Sequence, residues 1–222
     1  MKKITVIVTS IMLLVFANVN AAEKRIGVSG AFTQFSSDGT ETMKSSGTKT
    51  SKTQDEVVVV PSIFIEVAND NGLAIGLDFM PIEAELGSGT NARADTDTDD
   101  ASDTAGNNKV SAELTSHTTL YLSKSLGDNG AYLKGGLAMA TIDTTETLAT
   151  GSKYGNEDVT GFLIGLGMNK DINNGKFFRT ELTYTDYQDV TINGTADSDG
   201  VRNKIDADID AVAFRISIGK AF

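Results

Sequence analysis

The chain of 222 residues contains no cysteine, only two prolines and a single histidine. Without cysteine there is neither a disulfide framework nor a thiolate metal site, so stability has to come from the sheet itself. Few prolines beside 22 glycines suit a protein made of strands and turns. Basic residues are also scarce: 19 Lys and Arg face 30 Asp and Glu, a net charge of −11. A polyanionic partner is thereby disfavoured, and neither a basic stripe nor an aromatic groove motif is present, which argues against nucleic acid. Beyond residue 21, Asp, Glu, Lys, Gly or Asn interrupts every apolar run, which excludes a transmembrane helix. Any residence in a membrane must therefore use strands.

The first residues carry an address. Lys2 and Lys3 precede an apolar stretch from Ile4 to Phe16, and Val19-Asn20-Ala21 supplies small residues for a signal peptidase. The stretch is shorter than the roughly 20 residues that span a bilayer. Residues 1–21 are expected to be a cleaved export signal, with cleavage after Ala21 or its neighbour Ala22, and residues 22–222 a single domain. Lys2 and Lys3 leave with the signal, which takes the net charge from −11 to −13.

Period-2 alternation marks eight strands, about 24–35, 56–67, 72–80, 109–124, 130–142, 158–170, 176–187 and 212–222. One face of each is Val, Ile, Leu and Phe; the other is small or polar. In the last strand Val212, Phe214, Ile216, Ile218 and Phe222 alternate with Ala213, Arg215, Ser217 and Gly219. Each is long enough to cross a bilayer, for which about 9 to 11 residues suffice. A soluble barrel would need a charged outer face on most strands, whereas here one face is almost wholly apolar.

The connections alternate in length. Asn69-Asp70-Asn71-Gly72, Leu126 to Gly130 and Asp171 to Gly175 are tight Asn/Asp/Gly turns, while 36–55, 82–108, 143–157 and 188–204 are long and polar. Short turns at one rim and long loops at the other, with an even strand number, predict an all-β, eight-stranded antiparallel up-and-down transmembrane β-barrel in the bacterial outer membrane. In Ile205 to Asp210 the even positions are acidic, yet from Val212 they are apolar. A bulge or a strand projecting beyond the bilayer would explain the switch.

Tyr132 to Leu137, Gly161 to Gly167, Phe178 to Tyr187 and the terminal Phe222 resemble the small outer-membrane β-barrels of the OmpA transmembrane-domain, OmpX and opacity-protein type. That resemblance implies adhesion, envelope-integrity or evasion roles. It also implies that Phe214, Ile216, Ile218 and Phe222 form a signal for the barrel-assembly machinery, although Lys220 stands where that signal usually has an apolar residue. The implied partners are outer-membrane lipid, the assembly machinery and an external surface, with no cofactor.

Candidate chemistry is sparse. By parity Glu66, Asp78, Glu113, His117, Lys134, Arg179, Glu181 and Arg215 face the interior, where buried charges must pair. An eight-stranded barrel is only wide enough for its own side chains, so a closed polar network is expected, with Arg179 or Arg215 as the partner of Glu181. His117 has no accompanying nucleophile motif, which points away from catalysis. Asp95, Asp97, Asp99, Asp100 and Asp103 are oxygen ligands at a density suited to Ca²⁺ or Mg²⁺, but the EF-hand spacing fails and a hydrated acidic loop is the expected state. A structural or surface-interaction role through the four long loops is the leading expectation, ahead of a narrow porin-like channel and an outer-membrane enzyme.

Overall fold

The computed structural model describes residues 23–42, 47, 49–93, 106–147, 153–195 and 203–222. The expected signal segment and Asp95 to Asp103 lie outside them. Ten strands follow in order: β1 (Glu23–Thr42), β2 (Lys49–Ala68), β3 (Leu73–Phe79), β4 (Ala84–Arg93), β5 (Gly106–Ser125), β6 (Ala131–Thr147), β7 (Glu157–Asp171), β8 (Lys176–Tyr187), β9 (Val190–Asn193) and β10 (Lys204–Ala221). All ladders are antiparallel. β3 and β4 both pair β5, and β8 and β9 both pair β10, so the ten strands make eight staves. β10 then pairs β1 in one unbroken register from Arg25↔Ala221 to Thr42↔Lys204 and closes the ring.

The strands run well past the bilayer span, so much of the polar segments expected as loops is ladder. β1 and β2 stay paired up to Thr42↔Lys49, β4 occupies Ala84–Arg93, and β9 occupies Val190–Asn193. Ser and Thr hydroxyls link the extension across strands, as Thr40 and Ser51 do at 2.9 Å. Period-2 hydropathy is weak there because the segment lies in water, and water changes which face must be apolar.

Two polarities therefore share one wall. In the membrane portion the belt faces out, with Val59 62%, Phe162 65% and Ile164 65% exposed. Above it the pattern inverts: Phe35, Leu86, Leu114, Ile142, Ile192 and Ile209 pack inside, while Asp38, Asp55, Asp206, Asp208 and Asp210 share the outward parity. The even positions of β10 point outward throughout, and its pairing with β1 has no bulge. The switch near Val212 is thus a strand leaving lipid for water.

β5 does contain a bulge. Its pairing with β6 shifts between Thr115 and Thr118, with Ser116 at φ 53°. Below the bulge Thr119 and Tyr121 face inward; above it Leu114 does, opposite Ile142. Glu113, expected inside, consequently lies on the outer surface beside Glu83, Glu85 and Asp143, where residual burial and then these carboxylates raise its pKa.

The inward glycines of the lower barrel have a packing role. Four of them lie directly opposite an aromatic ring on the next strand: Gly27 opposite Phe64, Gly76 opposite Tyr121, Gly167 opposite Tyr132, Gly219 opposite Phe177. A Cβ on Gly76 would stand 2.2 Å from the Tyr121 ring, whereas one on Gly30 would meet nothing within 4 Å. Gly76→Ala is expected to destabilise the barrel by about 1–3 kcal/mol through overpacking, and Gly30→Ala to be close to neutral. Unfolding midpoints in detergent check this, and equal effects would contradict it.

The wall is unzipped between β2 and β4. β2 pairs β3 only as far as Ile63↔Phe79, and among the described residues no ladder joins the upper half of β2 to β4. Continuing that register would set Pro61 opposite Pro81, the chain's two prolines, and neither has an N–H to donate.

Candidate functional site

Among the described residues, the lumen gathers the predicted polar residues, and they pack against one another there. Parity places Glu66 of β2, Asp78 of β3, Tyr121 of β5, Lys134 of β6, Arg179 and Glu181 of β8 and Arg215 of β10 on its wall, so six staves send polar groups to one level of the axis. Glu66 is the hub. Its carboxylate accepts two hydrogen bonds from the Arg179 guanidinium at 3.0 and 3.1 Å, one from Arg25 at 2.9 Å and one from the Tyr121 hydroxyl at 3.1 Å. Four charge-assisted or phenolic donors on one carboxylate offset its desolvation.

Two further pairs complete the plug. The Lys134 ammonium donates to Glu181 at 2.9 Å and sits 3.9 Å from the centroid of Tyr121. Arg215 donates to Asp78 and to the Ser62 hydroxyl, and Ser62 donates to Asp78 at 3.0 Å. The Arg179 guanidinium is ringed by Phe64, Tyr132 and Phe177, each centroid 5.1 to 5.3 Å away, a geometry in which ring quadrupoles assist the cation.

His117 lies above this layer. Its Nε2 is 3.0 Å from the Tyr187 hydroxyl, and both side chains line a small hollow of about 40 Å³ with Asp78, Arg215 and the Ser62 side of β2. The hollow is capped by Phe35, Val60, Met80, Leu114 and Leu163, the base of the apolar upper core.

Seven of the eight residues expected in the interior network thus line the lumen, and Glu113 is the exception. The partner of Glu181 is Lys134, where Arg179 or Arg215 was expected: β6 and β8 face each other across β7, whose inward positions Gly165 and Gly167 leave room for the contact. Arg25 was missed, although it shares the parity of Ser29 and Thr33 and period 2 alone would have placed it. The apolar upper core was also missed, because the inward residues there carry the pattern read as lipid-facing lower down. Phe214, Ile216, Ile218 and Phe222 all face outward, and the Phe222 backbone pairs with Lys24.

No family model matches the chain, and no curated protein matches it. Solved structures do. The outer membrane protein OprG from Pseudomonas aeruginosa aligns over 91% of this chain and 96% of its own at 15% identity, TM-score 0.56. The outer membrane protein AlkL, solved in lipid bilayers, aligns over 93% and 92% at 12% identity, TM-score 0.53. The outer membrane protease OmpT from Escherichia coli aligns over 92% and 99% at 7% identity, TM-score 0.51. The chain has the fold of the small outer-membrane β-barrels. That fold and an exposed apolar belt, which is stable only against lipid, place it in the bacterial outer membrane.

The buried pair supplies a direct test. Glu181→Gln leaves the Lys134 ammonium without its counter-charge in a water-poor interior and should cost about 3 to 5 kcal/mol. Combining it with Lys134→Met should restore a large part of that loss. Additive losses in the double variant, measured by denaturant unfolding in detergent micelles, would contradict the pairing.

Just outside the belt, burial and then the carboxylates of Asp208, Asp186, Asp38 and Asp55 raise the pKa of Asp210. A carboxyl whose folded pKa is raised favours folding while protonated, and that contribution is lost as pH rises through the folded pKa. The unfolding temperature should fall as pH rises from the ordinary aspartate range through the raised folded pKa, and Asp210→Asn should flatten that slope. An unchanged profile in the variant would contradict this role.

Proposed function

We propose that the protein is a non-conducting outer-membrane anchor whose strand-built extension outside the bilayer makes its contacts with other surfaces, a structural or surface-interaction role with no enzymatic step. The observation that carries this reading is the filled lumen: an ionic plug in the lower half, a packed apolar core in the upper half, and a hollow of about 40 Å³ between them. Hydrated ions have no continuous path through such an interior. The single histidine bonds to the Tyr187 hydroxyl and stands beside the Asp78–Arg215 ion pair, which supports a positioning role for it. The extension supplies what a contact surface needs, since its ladders hold hydroxyls and carboxylates in fixed rows. The OmpA-type likeness read from the sequence supports the same role at the level of a family expectation.

The unzipped stretch between β2 and β4 favours a second reading, in which small apolar molecules pass between the upper lumen and the surrounding lipid. Val57 and Val59 line the lipid side of that stretch, and Val60, Met80 and Ala84 its lumen side.

One experiment separates these readings. In planar bilayers the folded protein is expected to give no stepwise ion conductance. In vesicles it is expected not to accelerate entry of an apolar fluorescent probe over protein-free vesicles. Discrete conductance steps would overturn the anchor in favour of a channel, and faster probe entry without conductance would favour the side passage.

A further inference from the structure

Four neighbouring staves end their outward stripe in a lysine at the rim of the tight turns. On β7 the outward residues run Leu166, Met168, Lys170; on β8, Lys176 and Phe178; on β10, Ile216, Ile218, Lys220; on β1, Lys24 and Ile26. Each lysine lies two residues beyond an apolar member of the lipid belt, so period 2 gives it the same outward direction. All four are exposed. β7, β8, β10 and β1 are consecutive in the ring, which makes the lysines a continuous arc.

The arc brings four like charges together. Lys176 and Lys220 are direct cross-strand partners, an arrangement in which like charges repel. Among the described residues, none of the four has a carboxylate within ion-pair distance. The Lys220 ammonium rests 4.8 Å from the Phe222 ring centroid, at the edge of the belt. At their opposite ends the same four staves present Asp158, Asp186, Asp210 and Asp38 outward. The outward stripes of these four staves are therefore basic at the periplasmic end of the belt and acidic at the other.

We propose that Lys24, Lys170, Lys176 and Lys220 form a binding surface for the anionic headgroups of phospholipids in the periplasmic leaflet. A phosphate seated between Lys176 and Lys220 relieves their repulsion. The acyl chains of the same lipid lie along Ile26, Met168, Phe178 and Ile218. The flexible lysine stems follow the apolar surface and carry the ammonium groups to headgroup depth, while the aspartates at the far end give an anionic lipid of the other leaflet no comparable partner.

The test uses the folded protein in phosphatidylcholine vesicles with trace spin-labelled lipid. At low salt, labelled phosphatidylglycerol should associate with the protein about fivefold more tightly than labelled phosphatidylcholine, and added salt should shrink the preference. Changing all four lysines to Gln should abolish it. Lys176→Gln with Lys220→Gln, which removes the repelling pair and should fold at least as well as the wild type, should reduce it by a measurable part. Equal affinity of the wild type for both lipids, or an undiminished preference in either variant, would overturn the proposal. Excess soluble glycerol phosphate should leave the preference intact. Loss of the preference to that competitor would overturn the assignment to lipid, because the arc would then recognise a phosphate by itself.

Discussion

Closure of the sheet is the constraint on which everything else rests. β1 and β10 pair through eighteen residue positions in a single register, so the hydrogen-bonding edges of the first and last staves satisfy each other. In hydrocarbon an open edge would leave backbone N–H and C=O groups with no partner, and only a closed barrel avoids that cost with strands. Once the ring is closed, side chains have two destinations, the lumen and the surroundings, and period 2 assigns every residue to one of them. The narrow lumen of eight staves then forces its contents to pack. Aromatic rings lie over glycines on the neighbouring strand, and charges meet opposite charges across the axis.

The surroundings change along the length of the barrel while the period does not. Where lipid lies outside, the apolar face is outward and the interior holds Glu66, Arg179, Lys134 and Glu181. Where water lies outside, Leu114, Ile142 and Ile209 turn inward and aspartates turn outward. β10 crosses the boundary in unbroken register with β1 and with its own parity kept, so there the exchange is written in residue type alone. β5 crosses it with a bulge at Ser116, which exchanges the faces by shifting parity. Both devices answer to one physical rule, that the apolar face avoids whichever side is wet.

The two ends of the belt differ as much as its two sides. On the staves β7, β8, β10 and β1, lysines close the outward stripes at the turn rim and aspartates close them at the loop rim, so this side of the barrel carries opposite charge at its two ends. The outer surface meets lipid around the belt and water around the extension. Beside Pro61 and Pro81, β2 and β4 adjoin without a hydrogen-bonded ladder.

Residue order by itself determined the number of staves, the antiparallel order, the tight-turn rim and most of the lumen-facing charges, because a two-residue period and Asn/Asp/Gly turns are local properties that can be counted along the chain. It left three matters to the tertiary structure. Ion-pair partners depend on which staves face each other across the axis and on how much room the intervening residues leave, so Glu181 found Lys134 over the glycines of β7 rather than the arginines nearest in order. The place of Glu113 depended on a backbone bulge that hydropathy does not signal. The upper apolar core depended on where water begins, and the same alternation of Val, Leu and Ile means lipid-facing below that level and buried above it. Local pattern tells a residue which side of the sheet it occupies, and only the assembled barrel in its bilayer tells it what lies on that side.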